Sequence, residues 1–160
     1  MSGDGVKVVC TNRRARFLYH IEDRREAGLV LTGSEVKSLR DGRADLSDSY
    51  ATFEGEELWL VGAHIAEYAN AGYQNHEPKR RRKLLMHARE LHRLRVKLRE
   101  RGYTLVPLRL YFKGGWAKAE LGLSRGKRKV DRREAVRERD AARDSRREAR
   151  EAMRGGGRRR

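Results

Sequence analysis

Five consecutive cations, Lys79, Arg80, Arg81, Arg82 and Lys83, follow Pro78 in the stretch PKRRRK. Such side chains donate to phosphate oxygens, and a run placed at a helix start would add backbone N–H groups aimed at the same anions. Two shorter clusters repeat the chemistry: NRRAR, with Asn12, Arg13, Arg14 and Arg16, and GKRK, with Gly126, Lys127, Arg128 and Lys129. Four rings, Trp59, Tyr103, Tyr111 and Trp116, offer surfaces on which bases stack, although packing inside a fold is the commoner fate of any one of them. Cations interleaved with rings describe a nucleic-acid surface.

Other chemistries lack their parts. There is no GxSxG, no Walker loop and no GxGxxG after a strand. Glu22, Asp23, Glu26 and Glu35 could form a carboxylate pair, but in so charged a chain such residues are more often solvated or ion-paired. The five histidines form neither HExxH nor H-x3-H, and Cys10 is the only cysteine, which excludes an intrachain disulfide and a CxxC zinc site. No catalytic residue, metal or cofactor is expected. The 160 residues carry 39 Lys+Arg against 23 Asp+Glu, a net +16, and such an excess suits a polyanionic partner. No stretch is apolar enough to span a membrane and the N-terminus lacks a secretory pattern, so a cytoplasmic protein is expected.

These residues need a scaffold, and the apolar pattern supplies one between residues 15 and 123. Alternation with period two marks ARFLYHI, two or three strands within DSYATFEGEELWLVGAHIAEY with EGEE as the turn between the first pair, and YTLVPLRLYF with WAKAELGL, the last two joined by KGG as a hairpin. Pro107 places its strand at an edge or a bulge. TGSEVKSLRDG reads as a helix, with Thr32 and Glu35 at capping-box spacing and Gly42 as a stop. A longer helix is expected from Pro78 to Gly102, with Leu84, Leu91, Leu94 and Leu98 on one stripe. Many short antiparallel strands with two or three flanking helices predict a mainly β fold, a barrel of the oligonucleotide-binding type.

The composition changes after Ser124, which divides the chain into an RNA-binding barrel, 1–124, and a basic tail, 125–160. The tail holds 16 basic and 7 acidic residues, a net +9. Its few apolar groups cannot offset an ordering cost of roughly 1–2 kcal/mol per residue, so it is expected to be disordered when free. Rich in Ala, Arg and Glu from Arg132 to Met153, it is expected to turn helical against a polyanion.

Read in order, EAGLVLTGSEVKSLRDGRADLSDSYA, RRRKLLMHARELHRL, GYTLVPLRLYFKGGWAKAELGL and RGKRKVDRR resemble the bacterial SsrA-binding protein (small protein B) family. The resemblance covers about Asn12 to Arg139. It implies an adaptor that binds the tRNA-like domain of transfer-messenger RNA (tmRNA), supports its delivery as alanyl-tmRNA with elongation factor Tu, and acts in trans-translation on stalled ribosomes. On this likeness Asn12, Glu26, Leu85 and Lys118 correspond to RNA-binding positions. Gly126, Lys127 and Arg128 match a Gly-Lys-Lys element, and Asp131, Arg132 and Arg133 an Asp-Lys-Arg element, that meet the ribosome, chiefly the small-subunit decoding region. The tail would then enter the empty mRNA channel. A monomer is the expected state. A structural ribosomal RNA-binding protein with a basic extension would show the same division of charge.

Overall fold

Alternating inward and outward side chains build strands only if each edge finds a partner, and here the partners close on themselves. The structure is a computed structural model that describes residues 5–126 and 129–155, with residues 129–135 and 154–155 described by their backbone alone. In order it runs β1 (Lys7–Thr11), α1 (Arg13–Leu18), β2 (Tyr19–Leu29), α2 (Gly33–Arg40), β3 (Ala44–Asp45), β4 (Tyr50–Glu54), β5 (Glu57–Val61), β6 (His64–Ile65), a 3-10 turn (Gly72–Gln74), β7 (Arg82–Leu85), α3 (Ala88–Leu98), β8 (Tyr103–Lys113), β9 (Trp116–Gly126) and α4 (Lys129–Gly155). Antiparallel pairing passes from β8 through β4, β5, β7, β2 and β9 and returns to β8. The result is a closed barrel, with β1 added along β8 and β3 paired with β6. This is the mainly β, oligonucleotide-binding-type class that the pattern predicts.

Inside the barrel, Leu58, Leu60, Leu84, Leu105, Leu110 and Leu121 are fully buried, and Leu39 of α2 and Leu94 of α3 pack on the same core. Each contributes about 1.5–3 kcal/mol by leaving water. Pro107 sits at a register shift between β8 and β9, the bulge its missing N–H demands. Val106 and Leu108 there form a separate small cluster with Ala15 of α1. Gly62 has φ +80°, and a Cβ on it would stand 2.8 Å from the Asp48 carbonyl oxygen, so this turn admits no side chain.

Two expectations are corrected. The strand expected over ARFLYHI begins only at Tyr19, because Asn12 caps α1: its side-chain oxygen accepts from the Ala15 N–H at 3.2 Å, and its amide donates to the carbonyls of Pro107 (2.9 Å) and Leu46 (3.2 Å). The helix expected from Pro78 to Gly102 is confined to Ala88–Leu98, and Arg82–Leu85 instead forms strand β7 between β5 and β2. Arg82 and Leu84 point inward while Leu85 is exposed, a period of two that the Leu84 stripe concealed. The tail, expected to be disordered when free and helical against a polyanion, is a helix from Lys129 to Gly155. Its described side chains beyond Val136 are exposed, and Arg147 pairs with Glu151 at 3.5 Å, so helix-forming residues and local pairs sustain it. It forms a unit of its own, and the barrel unit extends to Gly126 because Arg125 and Gly126 still pair with His20 and Tyr19.

Candidate nucleic-acid interface

Strand register brings residues far apart in sequence into one row. Gly28 of β2 lies opposite Leu85 of β7 and Lys118 of β9, Lys118 lies opposite Tyr111 of β8, and Tyr111 opposite Val8 of β1. Residues paired across neighbouring strands share a face. Leu85 and Val8 are about half exposed there. Two residues before Lys118 on the same face, Trp116 is 74% exposed. The turn that presents it, Gly114 and Gly115 with φ +58° and +80°, has the two positive φ values of a tight hairpin turn.

Glu26 joins this face through a hydrogen bond accepted from the Tyr111 hydroxyl, and Lys113 Nζ lies 3.7 Å from its carboxylate. The Tyr111 hydrogen bond holds the Glu26 carboxyl below its ordinary range despite some burial, and Lys113 and Lys118 act in the same direction. Burial, with Glu26 beside it, pushes the Tyr111 phenol up. Glu26 therefore stays anionic and Tyr111 neutral, so their bond pins the row. Lys118 has no carboxylate within ion-pair distance among the described residues, which leaves one cation and one indole free to meet a ligand. Val8 and Lys113 were not among the expected residues; the KGG turn, which sets Lys113 opposite Trp116, was the only local signal for either.

The run of five cations is largely spoken for. Arg82 is fully buried, donating to Glu35, to the Ala63 carbonyl at 2.7 Å and to the Pro78 carbonyl at 3.1 Å, so it is corrected from an RNA contact to a core residue. Arg80 donates to the same Glu35 at 2.6 Å. Arg81 pairs with Glu54 and lies 5.6 Å from the Trp59 ring centre, and Lys83 pairs with Glu57 at 3.2 Å. Lys79 alone has no ion pair among the described residues. Of the four rings, only Trp116 is open. Trp59 carries Arg81, Tyr111 is buried with Arg109 over it at 4.6 Å, and Tyr103 has Lys97 at 5.3 Å and Arg125 at 4.3 Å.

In NRRAR, Asn12 is 4% exposed and wholly engaged by the fold, whereas Arg13, Arg14 and Arg16 are exposed on α1. Asn12 thus places the arginines and is not itself open to a ligand. Replacing Asn12 by Ala removes the α1 cap and the side-chain donor to the Pro107 carbonyl, while Leu46 keeps its bonds from Ser49, and an unfolding free energy lower by about 1–3 kcal/mol is expected in urea titrations. Gly126 closes β9 opposite Tyr19. Lys127 and Arg128 lie outside the described residues, and Lys129, Asp131, Arg132 and Arg133 occupy the first turns of α4. Farther along α4, Arg139, Arg143, Arg146 and Arg150 recur at helical spacing on one side.

Among the described residues, no cluster of His, Cys, Asp and Glu could hold a metal ion, and no helix is long and apolar enough to cross a membrane. Residues 9–151 match the family model described as SmpB protein. The SsrA-binding protein of Anaeromyxobacter sp. (strain Fw109-5) is 60% identical over 145 residues, covering 91% of this chain and 88% of that protein. The SsrA-binding protein of Renibacterium salmoninarum is 56% identical over 147 residues, covering 92% and 94%. A chain from a solved structure described as "tmRNA-SmpB: a journey to the center of the bacterial ribosome" is similar at a TM-score of 0.65 and 50% identity, over 80% of this chain and 94% of that one. A match that begins in β1 and ends within α4, with relatives this similar along nearly their whole length, places the chain in the SmpB, or SsrA-binding, protein family.

Proposed function

We propose that this chain is an RNA-binding adaptor that holds the tRNA-like domain of tmRNA on the outer barrel face and carries it to stalled ribosomes for trans-translation. The observation that supports this most is the gathering of Glu26, Leu85, Trp116 and Lys118, drawn from three strands, onto one exposed surface. An open indole suits an unpaired base, an unpaired ammonium a phosphate, and the flat position at Gly28 lets a backbone lie close. The barrel takes the place of an anticodon arm in the vacant A site, while α4 follows the empty mRNA channel with its arginine side against ribosomal RNA. Work as a cytoplasmic monomer, alongside elongation factor Tu and alanyl-tmRNA, completes the reading.

The test is binding of the full chain to the tRNA-like domain. Combined Trp116→Ala and Lys118→Ala changes are expected to weaken it by about 10–100-fold, the loss of one stacked base and one phosphate contact. The slope of log affinity against log salt becomes shallower by about one unit with Lys118→Ala. Equal binding to ribosomal RNA fragments, unaffected by these changes, would favour a structural ribosomal protein instead.

A further inference from the structure

Strands β4 and β8 meet at one residue pair, Ala51 with Leu105, although β4 is paired along its other edge with β5 and β8 with β9. Beyond that pair the seam opens toward Phe53 and Tyr103 into a cleft of about 440 Å³. The C-terminal end of α3 walls it with Arg95 and Arg99, four residues apart and so on one side of the helix. Neither guanidinium has a hydrogen-bond or ion-pair partner among the described residues, and no carboxylate lines the cleft. A helix C-terminus favours cations in general. The dipole does not account for two unpaired guanidinium groups facing one cleft, in a fold where Arg81, Lys83, Lys113 and Arg125 each have an acidic partner.

Tyr50 borders the same space, 46% exposed, and its hydroxyl has no hydrogen bond among the described residues. The ring of Tyr103, by contrast, already carries two cations. Tyr50 and Thr104 also border a second cavity of about 320 Å³, whose Arg14 is paired with Asp48 at 3.2 Å, so the open ring has its unpaired cations on the α3 side alone. We infer that the cleft between β4, β8 and α3 binds a short segment of single-stranded RNA, with phosphates on Arg95 and Arg99 and a base against Tyr50. The volume suits one nucleotide, and an open ring beside unpaired cations is the usual platform for an unpaired base. The cleft shares no residue with the cluster of Glu26, Leu85, Trp116 and Lys118. It is a second RNA site and does not depend on the first.

Amide NMR spectra of the full chain, titrated with an adenosine RNA trinucleotide and separately with AMP, test the assignment. The trinucleotide is expected to shift the amides of Thr52, Phe53, Gly55 and Thr104, and to bind more than tenfold tighter than AMP. Combined Arg95→Gln and Arg99→Gln changes weaken those shifts at least tenfold, Tyr50→Ala does so in part, and the Trp116 indole signal responds as before. Shifts confined to the surroundings of Trp116 and Lys118, or cleft shifts that survive the double change, overturn the inference. So does AMP binding as tightly as the trinucleotide, which would make the cleft a free-nucleotide pocket, or a phosphopeptide shifting the same amides more strongly.

Discussion

Arg82→Ala is expected to lower the unfolding free energy by about 3–5 kcal/mol, because it leaves a buried carboxylate without its closest partner. Both Arg82 and Glu35 have side chains with no solvent exposure. The guanidinium also satisfies the Ala63 and Pro78 carbonyls; Pro78 keeps the Ile65 N–H at 2.9 Å, so the substitution strands the Ala63 carbonyl and one Glu35 oxygen. Glu35 additionally accepts from the Thr32 N–H at 2.9 Å, which ties the start of α2 to β7. Joint replacement, Glu35→Gln with Arg82→Met, should recover much of the loss, since no fully buried charge remains and Arg80, the other partner of Glu35, is about a third exposed and can turn to water. Urea titrations at neutral pH measure both, and a cost below about 1 kcal/mol for Arg82→Ala would mean that water replaces the guanidinium. The same pair sets an acid limit. Burial pushes the Glu35 carboxyl up, but hydrogen bonds from Arg80, the Thr32 N–H and Arg82 outweigh it and hold the group below its ordinary 4.5. As pH falls, the unfolded chain takes up a proton there before the folded one does. This stabilisation is therefore complete above the ordinary value and lost as pH drops through the folded one. Glu35→Gln should flatten that part of the stability profile.

Truncation after Gly126 is expected to leave binding to the tRNA-like domain within several-fold of the full chain while abolishing peptide tagging on stalled ribosomes. Gly126 is the right end point because β9 pairs with β2 up to it, so the barrel loses no ladder contact. The removed segment, 127–160, carries 15 basic and 7 acidic residues, and its departure weakens long-range attraction to any RNA. At low salt the truncated form should therefore lag further behind than at physiological salt. A tail that acts inside the ribosome predicts separation of the two readouts. If binding and tagging fall together, the tail is part of the RNA surface and the division of labour proposed above fails.

Where local chemistry decides, the chain can be read directly. The Thr32–Glu35 capping box, the KGG hairpin, the Pro107 bulge and the turn at Gly55 all follow from short-range rules and stand where those rules put them. Arg82 shows the other case. Nothing beside it in PKRRRK separates a buried arginine from a solvated one; its partner Glu35 lies in another helix, and only the closed barrel brings the two together. Asn12 is similar, a polar residue in a basic run whose burial depends on carbonyls in β8 and in the loop after β3. The outer-face cluster was reachable through family likeness, but its cohesion rests on register, and register is settled only when β2, β7, β8 and β9 are paired at once.

Barrel closure also bears on how the chain is made. Strand β9 is the last of the sheet to leave the ribosome, yet it is the central link, pairing with β2 from near the start of the chain on one edge and with β8 on the other. Until it arrives, β2 has only its short contact with β7 and β8 lacks half its ladder. Such non-local pairing folds slowly, and the nascent chain exposes open strand edges meanwhile. Its heavy positive charge helps here, because segments that repel one another are slow to join edge to edge.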